Sequence, residues 1–325
     1  MQLIQWDETD AYYNLAVEEY VLQQMGKEEF ILLWQNRNAV VVGRHQNTIE
    51  EINTDFVREY DVQVVRRLTG GGAVYHDLGN LNFSFILNAK DRVFNFRDLS
   101  VPIMESMKKM GIDTEFTGRN DLTLDGKKIS GTAQSIKGGR LLHHGTLLFH
   151  SKLDTISDVL RVKADKIESK GIKSVRSRVT NIGDYFPDVS IDDFKEQFYK
   201  DMHAEKGLER YVFNEDDVTV IKKLREKKYA TWEWNYGHSP EYNIKKDRHF
   251  DSGNLSIYMD VEKGIINTIR IYGDYFGDGE IAEVENSLQG TCSREEDVRT
   301  ILQKFDLDHY IHGITIEELT GFIVY

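Results

Sequence analysis

The chain has 325 residues with an apolar fraction of 40%, enough for a packed core and long enough for a large domain plus a smaller one. Its formal net charge of −13 argues against general nucleic-acid binding, which depends on neutralising phosphates. The single cysteine, Cys292, excludes an internal disulfide and a thiolate metal cluster.

No apolar run reaches the roughly 18 residues of a membrane span. The segment Met1-Gln2-Leu3-Ile4-Gln5-Trp6-Asp7-Glu8 lacks the basic and apolar regions of a signal peptide, so a cytoplasmic protein is expected, with no membrane and no nucleic-acid partner. Asn14 reads as the cap of a helix running to about Met25, with Leu15, Val17, Tyr20 and Val21 on its apolar face. Phe30 to Trp34 and Ala39 to Gly43 read as strands joined by a turn at Asn36-Arg37-Asn38.

The β-branched run Val62 to Val65 leads into Arg66-Arg67-Leu68-Thr69-Gly70-Gly71-Gly72-Ala73-Val74-Tyr75-His76, and a second apolar strand follows from Asn80 to Leu87. Glycines without Cβ accept positive φ and let a ligand approach backbone N–H groups, so two cations before three glycines point to an anion-binding loop. A plain mobile turn has the same glycines, but it does not call for the arginines. Side chains alternate along a strand, so one of Arg66 and Arg67 is expected to enter the site while the other meets solvent.

A helix from about Asp98 to Met110 ends at Gly111. Asp121 to Ser130 reads as a hairpin turning at Asp125-Gly126, and Gly138-Gly139 turns the chain into the strand Leu141 to Phe149. On that hairpin Lys128 and Ser130 are expected to share one face, with Asp121 close by. A carboxylate and an ammonium near a glycine loop suit metal-assisted chemistry on phosphate; taken singly, they equally suit a surface ion pair. The run Arg161 to Arg178 is basic in an otherwise acidic chain, which fits a solvated face, or a loop that closes on a phosphate-bearing ligand or meets an acidic partner. Ile191 to Lys228 reads as helical and Ser239 to His249 as a polar stretch. A hairpin of Asn254 to Asp260 with Ile265 to Tyr272, then helices near 281–288, 295–305 and 315–322, suggest a separate α+β domain, giving domains 1–245 and 246–325.

Taken in order, Arg-Arg-x-x-Gly-Gly-Gly-Ala-Val-x-His-Asp-Leu-Gly-Asn, then Gly118-Arg119-Asn120-Asp121-Leu122, Lys128-x-Ser130-Gly131, His143-His144-Gly145-Thr146, the segment Lys170 to Asn181 and Trp232-Glu233-Trp234-Asn235 resemble the lipoate-protein ligases over nearly the whole chain. The resemblance implies an α/β catalytic domain of the biotin/lipoate ligase type, built of mixed sheets with flanking helices, plus a small α+β C-terminal accessory domain. It implies ATP and Mg²⁺ as cofactors, activation of lipoate to lipoyl-AMP, and transfer to a lysine of E2 subunits of 2-oxoacid dehydrogenases or of glycine cleavage H protein. Carried over residue by residue, Lys128 is the catalytic lysine, meeting both the lipoyl carboxyl end and the nucleotide phosphate. Arg67, Gly72, Ala73, Val74, Tyr75, Asn120, Asp121, Arg176, Val179 and Thr180 fall along the adenylate, with Asp121 as the magnesium ligand. Gly70, Gly71, Gly72, His76 and His144 fall along lipoate. His76, His143 and His144 lack the spacing of a zinc site, and a structural or substrate-packing role is expected for them.

The chemistry agrees with the assignments. A free carboxylate is a poor acyl donor, and adenylation gives it a phosphate leaving group; Lys128, Arg67 and Mg²⁺ reduce the repulsion between two anions. The rival of the same fold is a cofactor-independent transferase moving octanoyl or lipoyl groups between carriers. The forms that use a cysteine thioester need that cysteine in the catalytic domain, whereas Cys292 falls in the accessory domain. Biotin ligase is disfavoured because its Gly-Arg-Gly-Arg type loop is absent. A non-catalytic lipoate or nucleotide sensor is the third alternative. The sequence does not distinguish among acceptors, between lipoate and octanoate, or among oligomeric states.

Overall fold

In a computed structural model, the residues described are 1–89, 96–118, 120–160, 179–236 and 243–325. Arg176 and the basic run 161–178 lie outside them, so the expected closing loop is not assessed. The described residues form two compact units. One comprises Met1–Val42, Glu50–Arg67 and Ala73–Asn235; the other comprises Gly43–Ile49, Leu68–Gly72 and Tyr236–Tyr325. The arginine-glycine segment is thus divided between units at the Arg67-Leu68 bond.

In the larger unit, strands β1 (Gln2–Gln5), β2 (Phe30–Trp34), β3 (Ala39–Val42), β4 (Gln63–Arg66), β5 (Val74–His76), β6 (Asn80–Asn88), β7 (Glu115–Thr117), β8 (Asp121–Leu124), β9 (Lys127–Lys137), β10 (Arg140–Leu148) and β11 (Glu209–Tyr211) make two sheets. Among the described residues the larger sheet has the order β11-β1-β2-β6-β10-β9-β8-β7 and the smaller the order β4-β3-β5. Parallel pairing of β3 with β4 and antiparallel pairing with β5 give mixed sheets, as expected. Phe83, Phe85, Leu33 and Leu147 form the core with Ile103 and Met107 of helix Phe96–Lys109 and Phe194 and Phe198 of helix Ile191–Lys206.

Helix Ala11–Gln24 touches β2, β6 and β10 of the large sheet and β4 of the small one. It starts earlier than the sequence reading placed it, because the Asp10 side chain accepts the Tyr12 N–H. Asn14 instead sits one turn inside and fully buried. It accepts the Trp6 Nε1–H at 2.7 Å and donates to Gln35 O at 2.8 Å and Asn36 Oδ1 at 2.9 Å. The expected helical run from Ile191 to Lys228 is also interrupted. Gly207 takes φ 62 at the end of helix Ile191–Lys206, β11 pairs parallel to β1, and helix Glu215–Leu224 then begins at an Asn214 capping box.

In the smaller unit, β12 (Ile244–Phe250), β13 (Gly253–Glu262) and β14 (Ile265–Gly273) form an antiparallel sheet. Its core joins Ile257, Ile269 and Ile271 to Val284, Leu302 and Phe322 of the following helices. The glycine loop is secured here. Gly71 N–H faces Tyr275 O at 3.4 Å, Arg44 N–H donates to Thr69 O at 2.8 Å, and Gly273 N–H donates to His45 O at 2.8 Å. The His45 ring stacks on Tyr275 at 4.5 Å, and Arg44 pairs with Glu280. Among the described residues no helix is long and apolar enough to cross a membrane.

Candidate active site

The β8-β9 hairpin turns at Asp125 (φ 50) and Gly126 (φ 74), the left-handed pair that a two-residue hairpin turn requires. Its register pairs Asp121 with Gly131, Leu122 with Ser130 and Thr123 with Lys128, so Ile129 is one residue extra, a bulge. The bulge corrects the expected shared face of Lys128 and Ser130. Directly paired residues share a face, so Lys128 joins Asp121, Thr123 and Gly131, while Ser130 is buried on the side of Leu122. Lys128 Nζ reaches Asp121 Oδ1 at 2.7 Å, with both side chains still partly open to solvent. A Cβ on Gly131 would lie 2.9 Å from Lys128 Nζ, so the glycine makes room for the pair.

Neighbouring groups hold the strand ends. Asn120 Nδ2 donates to Thr132 O at 2.5 Å, and Thr132 N–H returns a bond to Asn120 O at 2.9 Å, which engages the Asn120 side chain with backbone. Thr180 N–H donates to Lys128 O at 3.0 Å, and Val179 forms a parallel bridge with Lys128. Lys128, Asp121, Asn120, Val179 and Thr180 therefore come together as one group.

Arg67, His76 and His144 form a second group in the same unit. The expectation that one arginine would meet solvent is overturned, since Arg66 is 2% and Arg67 6% exposed. Arg66 is buried because its guanidinium finds two carbonyls, Nε donating to Trp234 O at 3.0 Å and Nη2 to Asn235 O at 3.2 Å. Arg67 Nη1 donates to Val41 O at 3.1 Å, and burial lowers its pKa to about 10 despite the attraction of Glu18. Burial, and then the charges of Arg67 and His144, push His76 down to about 3, so its ring is neutral at ordinary pH. Its Nδ1 meets Asn36 Nδ2 at 3.1 Å.

The sequence reading missed Glu18. Its Oε1 lies 2.7 Å from His144 Nδ1 and accepts the Ser84 Oγ–H at 2.7 Å, and Ser84 Oγ accepts the Trp34 indole N–H at 3.1 Å. The available signal was Glu18-Glu19 inside the apolar run Leu15 to Leu22. Ala73 precedes β5, where Val74 pairs with Val41, and the Tyr75 hydroxyl donates to Asn38 Oδ1 at 3.0 Å. Gly70, Gly71 and Gly72 cluster with the smaller unit, and a Cβ at Gly70 would lie 2.1 Å from Tyr275 O. Among the described residues no group of three or more His, Cys, Asp or Glu side chains is arranged to hold a metal by itself. Asp121 alone fits magnesium's habit of taking one or two protein carboxylates and filling its remaining positions with phosphate and water.

A buried arginine, two histidine-bearing strands and an exposed lysine-aspartate pair on an α/β scaffold define a protein that handles anionic substrates. A sequence profile described as the lipoyl protein ligase A/B catalytic domain matches residues 10–203, and one described as the bacterial lipoate protein ligase C-terminus matches residues 239–323. Lipoate-protein ligase LplJ of Bacillus subtilis is 40% identical over 320 residues, covering 97% of each chain. Lipoate-protein ligase 1 of Staphylococcus aureus is 43% identical over 314 residues, covering 96% of each.

The chain belongs to the lipoate-protein ligase family, whose members are ATP-dependent enzymes. Solved structures agree on the fold. LipL1 of P. falciparum in complex with lipoate superposes with a TM-score of 0.84 over 99% of both chains at 22% identity. The bipartite lipoate protein ligase of Thermoplasma acidophilum, described with its E2 lipoyl domain, gives 0.66 at 30% identity, covering 75% of this chain and 98% of that one. A lipoate-protein ligase A bound with ATP gives 0.62 at 29% identity, covering 73% and 98%.

Proposed function

We propose that this chain joins lipoate to ATP, forming lipoyl-AMP and pyrophosphate, and then passes the lipoyl group to a lysine of E2 lipoyl domains or of glycine cleavage H protein in the cytoplasm. The observation that carries this reading is the Lys128-Asp121 pair, with Nζ and Oδ1 2.7 Å apart on a bulged strand whose backbone is held by Thr180. In the first step a lipoate carboxylate oxygen attacks the α-phosphorus, a P–O bond forms, and the bond to pyrophosphate breaks. Lys128 Nζ neutralises charge on the carboxylate and on the α-phosphate, where preorganised cations are most effective. Arg67, fixed in a low-dielectric setting, offers a second cation to the same anions. Asp121 would hold Mg²⁺, which screens the phosphate oxygens when bound.

In the second step the neutral acceptor amine attacks the acyl carbonyl, the C–O bond to AMP breaks, and the amine loses its proton. Lys128 polarises that carbonyl. Gly70, Gly71, Gly72, His76 and His144 serve the lipoyl group; Ala73, Val74, Tyr75, Asn120, Val179 and Thr180 serve the nucleotide, joined by Arg176. Residues 1–245 act as the catalytic domain and 246–325 as the accessory domain.

The test is lipoate-dependent pyrophosphate release from ATP and Mg²⁺ without acceptor, followed by mass spectrometry after an H protein or E2 lipoyl domain is added. Pyrophosphate and a lipoyl mass on the acceptor are expected. Octanoyl transfer from a carrier with neither signal would place the chain among the transferases. ATP binding without pyrophosphate release would mark a sensor.

A further inference from the structure

β4 is an outer strand of the three-stranded sheet, so the backbone groups that Arg66 turns away from β3 have no strand to meet. Side chains take that place. The Arg66 N–H donates to Asn235 Oδ1 at 2.9 Å, and Arg66 O accepts the Trp234 Nε1–H at 2.9 Å. With the two guanidinium bonds already described, four hydrogen bonds join Arg66 to two consecutive residues. The orientation of the Asn235 amide is itself fixed, because Nδ2 donates to Tyr229 O at 2.7 Å and Thr231 O at 2.9 Å. Trp234 is backed by Lys228, whose Nζ lies 4.0 Å from the indole centroid and 2.6 Å from Glu19 Oε2.

One residue further on, the Arg67 N–H donates to Val42 O at 3.0 Å and its guanidinium to Val41 O. The direction in which Arg67 leaves the sheet is therefore set by how firmly the end of β4 is held on both sides. β3 holds one side, and Trp234-Asn235 imitates a strand on the other.

We infer that Trp234 and Asn235 are positioning residues for Arg67, acting as a two-residue surrogate strand that fixes the end of β4 for anion binding and adenylation. The inference rests on the proposed role of Arg67 toward the substrate anions. Concentrating four bonds on the residue next to a buried cation is more than closure of a sheet edge requires. It limits the angular freedom of a guanidinium that must meet two anions in one geometry.

The full chain tests this in lipoate-dependent ATP-pyrophosphate exchange, with kcat and KM for lipoate and ATP, alongside lipoyl transfer from supplied lipoyl-AMP and thermal unfolding. Trp234→Phe keeps the ring and deletes the indole N–H. It is expected to lower kcat/KM for adenylation about fivefold, the effect of one lost hydrogen bond, while the unfolding temperature moves little. In an Arg67→Lys background the same change is expected to add almost nothing, because both act through one cation. Unaltered adenylation kinetics in Trp234→Phe, or an equal factor in both backgrounds, would overturn the inference.

Asn235→Asp keeps an acceptor for the Arg66 N–H and is expected to stay closer to the unsubstituted enzyme than Asn235→Ala; the reverse order would also overturn it. If Arg67→Lys alone leaves adenylation untouched, the assignment of Arg67 itself fails. If Arg67→Lys is impaired and Trp234→Phe acts independently, only the positioning role fails.

Discussion

Glu18 Oε1 and His144 Nδ1 stand 2.7 Å apart, joined across 126 positions of sequence and both nearly closed to solvent. The carboxylate also holds Ser84, which holds Trp34, so removing it leaves several buried polar atoms without their acceptor. Glu18→Ala is expected to lower the unfolding free energy by about 3 kcal/mol, the scale for breaking a buried pair from one side. Glu18→Gln, which keeps an oxygen, should lose less. Urea midpoints for both variants check this.

Lys128→Ala is expected to lower adenylation and acyl transfer together, each by roughly 100-fold or more, as expected when a charge-stabilising group is removed. Pyrophosphate release and transfer from supplied lipoyl-AMP measure the steps separately. Near-normal adenylation would remove Lys128 from its assigned role.

Gly131→Ala is a subtler change. The new Cβ would lie 2.9 Å from Lys128 Nζ and 3.7 Å from Asp121 Oδ1, so the flexible lysine end must move while the strand can stay. Adenylation is expected to fall about tenfold with little change in unfolding temperature, because a small displacement of a reacting group is costly in rate.

Gly70→Ala should behave in the opposite way. Its Cβ would meet the Tyr275 carbonyl at 2.1 Å, and backbone cannot swing aside as a lysine can. A loss of about 2 kcal/mol in stability is expected from the overpacking. Calorimetry that shows no change would contradict the described loop geometry.

His76 and His143 give stability a pH dependence. Both are pushed down to about 3, His76 first by burial and then by Arg67 and His144, and His143 first by burial and then by His144. The folded state therefore binds fewer protons than the unfolded chain. Their contribution is fully present above about pH 6.5 and is lost progressively as pH falls toward 3. In that window the slope approaches about 1.4 kcal/mol per pH unit for each histidine. Urea midpoints between pH 7.5 and 5, with His143→Gln as the comparison, should show the slope reduced in the variant.

The parts of this molecule that were legible in its sequence are those decided by neighbours along the chain. Asp125-Gly126 and Lys263-Gly264 take positive φ, and each turns the hairpin their sequence announces. The bulge at Ile129 was not legible, because an extra residue shows only once its partner strand is known. The burial of Arg66 depends on residues 168 and 169 positions away, and no local pattern signals it. The strand β12 escaped notice because Lys245, Lys246, Asp247 and Arg248 give an edge strand the composition of a loop. The short β11 escaped because parallel pairing to β1 stabilises a segment with little strand character of its own.

The three consecutive glycines are not interchangeable. Gly70 is small because Tyr275 lies against it, and Gly71 is flexible because φ is 89. At Gly72 a methyl group would meet nothing within 4 Å among the described residues, and its φ lies outside the positive range. Selection for folding alone has little hold on that third position, while selection for what occupies the loop has a great deal. A library of variants screened only for soluble expression would therefore pass alanine at 72 and reject it at 70, and would rank the loop's importance in the wrong order.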